Sequence, residues 1–278
     1  MSPKKTTSIL SIQKLNPIPA IPLHRTQRTL TDFDKIFAMK SLHTLAVSQL
    51  FIVSQILAAD PCIPATINSP VTSPPSDDAP AIRKAIETCG PTGGTILFPQ
   101  KRTWWFHSRI DFFPCNTCTF QIEGHIIPLN HDAFTLKDPY KPIFYLDNVH
   151  GATIIGKNGT GLVSGNVGNQ PTPLGPCNGV RRPMFNITGG SSNITISNLN
   201  LQDSGGDFFA IENASNIVFE DMRVGFFGSP KVPDWLAGFR IRNSTNIKLL
   251  NTTVTSTGTC LVDEGKNGID LRGLVCKD

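Results

Sequence analysis

Three stretches in the C-terminal half of this chain repeat one pattern. Ser192-Asn193-Ile194-Thr195-Ile196-Ser197-Asn198-Leu199-Asn200-Leu201 is one copy, and Ser215-Asn216-Ile217-Val218-Phe219-Glu220-Asp221-Met222-Arg223-Val224 is the next. Thr245-Asn246-Ile247-Lys248-Leu249-Leu250-Asn251-Thr252-Thr253-Val254 is the third, and the aligned asparagines Asn193, Asn216 and Asn246 lie 23 and 30 positions apart. Alternation of apolar and polar residues within each copy predicts a short strand with one buried face. Asn or Asp at the sixth position, counted from the aligned asparagine, marks a bend. Weaker relatives span Gly151–Val163 and Asn267–Cys276. A unit this short, built from strands, covers its apolar side only by stacking on its neighbours. No helical pattern of about 10–15 residues separates the strands, which excludes leucine-rich and βαβ repeats. The expected fold is therefore all-β, a right-handed parallel β-helix. The competing arrangement is a β-sandwich in which Asn-Ile pairs recur by coincidence.

Upstream, Ala81, Ile82, Ala85 and Ile86 are apolar at helical spacing, with Asp77-Asp78-Ala79-Pro80 before them and Cys89-Gly90 after. Acidic residues ahead of a proline in the first turn suit a helix start. Residues 78–90 are expected to form a helix covering the N-terminal end of the solenoid. Gly93-Gly94-Thr95-Ile96-Leu97-Phe98-Pro99 reads as a turn and a strand. Charged residues are only 17% of the 278, while Gly (23) and Pro (22) are plentiful. That mix suits a turn-rich β protein and rules out collagen, a charged disordered chain and a multi-span membrane protein.

The net charge of +4 is concentrated at one end. Seven Lys/Arg and two Asp/Glu precede residue 60, which leaves 18 bases and 19 acids over residues 60–278. A body of net charge −1 argues against a nucleic-acid partner, since phosphate neutralisation needs a basic face. Residues 1–38 have little periodicity and read as an upstream extension. Met39-Lys40-Ser41 then leads into an apolar stretch that ends at Ala58-Ala59. A positive residue, an apolar core and small terminal residues describe a secretory signal peptide at 39–59, with Met39 as the true start. Ser48, Gln49, Ser54 and Gln55 interrupt the stretch and make it a poor membrane span. The competing reading is a signal anchor used from Met1. All seven cysteines (Cys62, Cys89, Cys115, Cys118, Cys177, Cys260, Cys276) follow this segment, as do six acceptor sequons at Asn158, Asn186, Asn193, Asn213, Asn243 and Asn251. Both features suit a secreted, extracellular chain with disulfides and glycans. No membrane association is expected after cleavage.

Several motifs together resemble glycoside hydrolase family 28, the polygalacturonase and rhamnogalacturonase group. They are Asp77-Asp78-Ala79-Pro80-Ala81-Ile82, Gly93-Gly94-Thr95, Trp104-Trp105-Phe106, Ser108-Arg109-Ile110-Asp111, Ile122-Glu123-Gly124, Arg182-Pro183 and Ile187-Thr188-Gly189-Gly190-Ser191-Ser192-Asn193-Ile194. The chain looks most similar to fungal exo-polygalacturonases over residues 60–278. The resemblance implies a secreted β-helix whose relatives hydrolyse pectin with inversion, and a pectic polysaccharide as partner. It also implies a disulfide between Cys260 and Cys276, with Cys62–Cys89 a candidate second bridge. With seven cysteines, at least one is left without an intrachain partner.

The family's acidic positions fall on other residues here. The Asn-Thr-Asp preceding Gly-Phe is matched by Trp235-Leu236-Ala237, and the Asp-Asp ahead of Cys260 by Gly258-Thr259. The family's Gly-His-Gly and Arg-x-Lys come later than Asp278, so C-terminal coils are expected to be missing and the product to be poorly soluble or unstable. Inversion needs one protonated carboxyl and one ionised carboxylate about 6.5–9.5 Å apart, and general acid–base catalysis contributes about 10²–10⁴-fold. Ala237, Gly258 and Thr259 can neither hold nor deliver a proton. The expectation is a polygalacturonase-like homologue that is inactive as written. One alternative is a non-catalytic pectin- or protein-binding β-helix. Another is an enzyme using Asp234 or Asp263 as substitutes. Glu264 and Asp270 lie nearby and read as solvated turn carboxylates, and the adjacent Asp263 and Glu264 should point to opposite faces of a strand. Arg240 and Arg242 share a strand face and could bind a polyanionic sugar.

Other patterns carry less. Cys115-Asn116-Thr117-Cys118 has zinc-like spacing, but no second cysteine pair follows, and a disulfide suits a secreted chain better. Gly156–Gly161 lacks the Lys-Ser/Thr ending of a phosphate loop and reads as a turn. Trp104, Trp105 and Phe106 read as packing residues. His107, His125, His131 and His150 form no ligand set. No metal or cofactor is expected, and the protein is read as a monomer.

Overall fold

The strands are two to six residues long, and each pairs in parallel with its equivalent one coil later, not with its neighbour in sequence. The computed structural model describes residues 60–66, 77–106, 108–128, 141–165, 182–227, 234–265 and 268–278, all within the compact unit Ile56–Asp278. The leader and extension readings at 1–59, Cys177, His107 and His131 lie outside the described residues. The first coil carries β1 (Thr95–Phe98), β2 (Thr103–Phe106) and β3 (Ile110–Asp111), and the second β4 (Thr119–Ile122), β5 (His125–Pro128) and β6 (Phe144–Asp147). Next come β7 (Thr153–Ile155), β8 (Leu162–Ser164) and β9 (Phe185–Thr188), then β10 (Ser192–Ser197), β11 (Asn200–Gln202) and β12 (Phe209–Glu212). The fifth coil has β13 (Ser215–Glu220), β14 (Arg223–Gly225) and β15 (Ala237–Arg242), and the sixth β16 (Thr245–Leu250), β17 (Thr253–Thr255) and β18 (Thr259–Asp263). β19 (Ile269–Asp270) and β20 (Val275–Lys277) begin a seventh.

Every third strand joins the same sheet. Sheet A runs β1-β4-β7-β10-β13-β16-β19, sheet B β2-β5-β8-β11-β14-β17-β20 and sheet C β3-β6-β9-β12-β15-β18, all parallel. This is the right-handed parallel β-helix that the repeat predicts. The three copies seen in the sequence are sheet A strands with the bends and sheet B strands that follow them.

Alternation puts one residue in two inside the coil, and stacking lines these residues into columns. In sheet A, Ile96, Phe120, Ile154, Ile196, Phe219 and Leu249 follow one another in register. In sheet B the column is Trp104, Ile126, Val163, Leu201, Val224 and Val254. Sheet C stacks Phe144 on Phe185 (4.7 Å between ring centroids), Phe185 on Phe209 (5.1 Å) and Phe209 on Phe239 (4.9 Å), with rings within 20° of parallel. These residues are almost fully buried. Each such ring pair adds about 0.5–1.5 kcal/mol beyond the area it buries.

The bends have a backbone cause. Asn198, Asp221 and Asn251 adopt φ of 55°, 54° and 46°, and the aligned Asn193, Asn216 and Asn246 adopt 56°, 55° and 53°. Asn and Asp tolerate this left-handed region because their short side chains bond locally. The repeat's asparagines are thus corner residues.

Helix α1 (Ala79–Cys89) buries Ala79, Ile82, Ala85, Ile86 and Cys89 and packs on β1 and β3, while Ala81 is half-buried. Asp78 does not cap it through its side chain. That carboxylate instead accepts the Trp105 N–H (2.9 Å) and the Thr66 hydroxyl (3.0 Å), tying the helix start to sheet B. Disulfides join Cys62 to Cys89, Cys115 to Cys118 and Cys260 to Cys276. Residues Lys157–Gly159 make a 3₁₀ turn. Trp104 and Phe106 are core residues, whereas Trp105 is half-buried. Among the described residues no helix is long and apolar enough to cross a membrane.

Candidate functional site

The outward face of sheet C gathers charged and aromatic side chains around a cleft. Its pleat aims Phe209, Phe239 and Leu261 inward or toward the core, so the residues between them face out. One outward column is Asp111, Tyr145, Asn186, Ala210, Arg240 and Val262. Beside it, Asp147 pairs with Thr188 and Glu212 with Arg242. A cleft of about 370 Å³ opens at the β12–β15–β18 end, lined by Asp207, Trp235, Arg240, Arg242, Thr259 and Val262.

Asp207 anchors this cleft. Phe209 pairs with Phe239, so two residues earlier Asp207 stands opposite Ala237, one coil before it. Its carboxylate accepts the Ala237 N–H at 2.8 Å, Arg240 Nε at 2.6 Å and Arg240 Nη2 at 3.3 Å. Arg240 Nη2 also donates to the Trp235 carbonyl at 3.0 Å. The far side of the same guanidinium reaches Glu264, Nη1 to Oε1 at 3.2 Å. Arg242 forks onto Glu264 as well, with Nη2 to Oε1 at 3.1 Å and Nε to Oε2 at 2.5 Å. The result is a chain of alternating charge, Asp207–Arg240–Glu264–Arg242. Donating to the Asp207 carboxylate raises the Arg240 pKa above its usual value, and donating to Glu264 does the same for Arg242. The Arg242 guanidinium, with Arg240 behind it, lowers the Glu264 carboxyl pKa.

Ala237 and Thr259, two of the three positions where family acids were sought, pair directly in register. Ala237 is fully buried, and the Thr259 hydroxyl donates to the Asp234 backbone carbonyl at 3.2 Å. Asp234 thus meets the site through its main chain. Asp263 pairs in register with the buried Ile241, continuing the inward column, and its carboxylate takes the Gly265 N–H at 2.9 Å. Glu264, one residue on, is the carboxylate that reaches the arginines: it follows β18 and stays exposed, as a solvated carboxylate should, but it is also ion-paired. Asp270 is bound by Arg272 at 2.8 Å, away from the cleft. Gly238 is obligatory: a Cβ there would lie 2.7 Å from Val254 Cγ1 and 2.8 Å from the Cys260 carbonyl.

The sequence reading missed Asp207. The signal was present, because Asp207-Phe208-Phe209-Ala210-Ile211-Glu212 precedes Ala237-Gly238-Phe239-Arg240-Ile241-Arg242 by 30 residues, the same interval that separates Asn216 from Asn246. Among the sequons, Asn158, Asn193, Asn213, Asn243 and Asn251 are exposed and Asn186 is half-buried on the outward face of sheet C. Among the described residues no cluster of His, Cys, Asp and Glu could hold a metal ion; His150 bonds Ser192 and Asn148 instead.

No family model matches the sequence. The chain is 31% identical over 208 residues to a protein of Emericella nidulans named "Probable endo-xylogalacturonan hydrolase A", covering 72% of this chain and 50% of that one. It is 28% identical over 192 residues to endo-xylogalacturonan hydrolase A of Aspergillus tubingensis, covering 67% and 46%. The crystal structure of the endo-xylogalacturonan hydrolase from that fungus superposes with a TM-score of 0.63 over 72% of this chain and 52% of that one, at 28% identity. A tailspike of E. coli bacteriophage HK620 shares the fold alone, with a TM-score of 0.55 at 18% identity over 72% of this chain and 36% of that one. This chain spans about half the length of the curated relatives it matches. These relatives bear an endo-acting name, in place of the exo-polygalacturonases that the motifs suggested. By sequence and by fold together, the chain is a homologue of the endo-xylogalacturonan hydrolases and carries the β-helix of glycoside hydrolase family 28.

Proposed function

We propose that this chain holds an acidic pectic polysaccharide, a galacturonan of the class named in its relatives, in the sheet C cleft, and that the described coils bind it without cleaving it. The observation that carries this reading is the pair of guanidinium groups, Arg240 and Arg242, beside Trp235 on one wall of the cleft. A guanidinium fork matches a carboxylate in geometry and charge, and an indole offers an apolar surface to a sugar ring.

The same charges argue against hydrolysis. A general acid must stay protonated at the working pH, which requires a raised carboxyl pKa. Glu264 is shifted the opposite way. Both Asp207 oxygens already accept N–H donors. The Ala237 and Thr259 side chains beside them carry no titratable proton. Secretion is part of this reading: the three disulfides suit an oxidising compartment, as do the leader at 39–59 and the exposed sequons.

The test is to express the 278-residue chain in a secreting eukaryotic host and offer it xylogalacturonan and polygalacturonate. Retention on the polymer with no new reducing ends is expected, and retention should weaken as salt rises. Replacing both arginines (R240Q with R242Q) should abolish retention. Steady release of reducing ends by the wild-type chain would overturn the reading.

A further inference from the structure

We infer that Glu264 is a tethered competitor, a carboxylate of the chain itself that fills the arginine fork until the carboxylate of a uronate displaces it. This rests on the uronate-binding reading of the cleft and adds a competitor that any uronate must displace. Two carboxylates share Arg240, and they are held differently. Asp207 has a side chain only 15% exposed and is fixed by the Ala237 main chain as well as by Arg240. Glu264 has a side chain 37% exposed, and among the described residues its carboxylate meets only Arg240 and Arg242. Asp207 therefore positions Arg240, whereas Glu264 caps the arginines from the open side of the cleft.

The Glu264 contacts have the form a bound uronate would take. Both of its oxygens face guanidinium nitrogens, one oxygen bridging Arg240 and Arg242. Exchange replaces one carboxylate by another, so the arginines never become bare charges, and the released Glu264 swings into water at an exposed strand end. A tethered group acts at an effective concentration of about millimolar or above. A free monouronate well below that level loses the competition. A polymer wins by adding contacts to Trp235 and to the floor of sheet C that a single carboxylate lacks. Glu264 thus weakens the binding of every uronate that must displace it by the same factor, which leaves a single carboxylate bound too poorly to hold while a polymer, with its extra contacts, still binds.

Titration calorimetry on the 278-residue chain decides the matter, using galacturonic acid and a galacturonate oligomer of about ten units as probes. For E264Q, the affinities for monomer and for oligomer should both rise about tenfold or more, by a similar factor. E264A is the second variant, because a glutamine could still bond the arginines. An unchanged thermal melt for both variants shows that the coil is intact, and it is expected because Glu264 is exposed. If the wild-type chain binds the oligomer and neither variant gains affinity for the monomer, the competitor role is wrong while the cleft reading stands. If neither the wild-type chain nor either variant binds the oligomer, the cleft reading itself fails, and this inference with it.

Discussion

At the scale of single residues, the two acidic positions that matter differ in how they are held. Asp207 braces Arg240 and the β15 main chain together. In D207N one oxygen can still accept the Ala237 N–H, but the amide then turns N–H groups toward Arg240. The variant should lose about 1–3 kcal/mol of stability, visible as a lower thermal midpoint at pH 7, and should lose polygalacturonate binding along with it. Asp203 behaves differently. Burial raises its carboxyl pKa above the ordinary 3.8, offset in part by the Phe227 N–H. Above that ordinary value the unfolded chain gives up this proton before the folded one does. The folded state then binds more protons, and the stability tied to this group falls as pH rises through the window. D203N removes that loss while keeping an acceptor for Phe227 and a residue suited to φ of 53°. Its melting temperature should match or exceed that of the wild type at pH 7, with the advantage vanishing below about pH 4; a midpoint lower than wild type at pH 7 would contradict this account.

At the scale of elements, the phenylalanine column of sheet C bears the load of the middle coils. Phe209 is stacked between Phe185 and Phe239 and meets Phe219 edge-on at 4.7 Å. Truncation leaves a cavity that neighbouring coils cannot close, because their own columns fix their spacing. F209A should cost about 3–5 kcal/mol, read as a lower denaturant midpoint. The strands, their bends and the helix were legible because each depends on local pattern: alternation in Ile194-Thr195-Ile196, asparagine at the corners, and Ile82, Ala85 and Ile86 on one helical face. Asp78 was legible only as an acidic helix start. Its bond to Trp105 spans 27 residues, and nothing local encodes it.

At the scale of the whole molecule, stability in a solenoid passes from coil to coil. The Cys260–Cys276 bridge closes β18 onto β20 across 16 residues, a span for which chain entropy gives about 3 kcal/mol. C276S should therefore loosen the last coil selectively. Hydrogen exchange should quicken in β16–β20 and stay slow in β4–β9; uniform quickening would mean that the coils unfold as one unit.

The sequence alone determined the solenoid, its corners, its helix and the identity of Arg240 and Arg242 as neighbours on one face, because strand period and turn chemistry act over a few residues. The tertiary structure decided which carboxylates those arginines meet. Asp207 lies 33 residues before Arg240 and Glu264 lies 24 after it, and only the stacking of coils brings all three to one cleft. Register made the choice between Asp263 and Glu264, since a shift of one position along a strand exchanges the inner face for the outer.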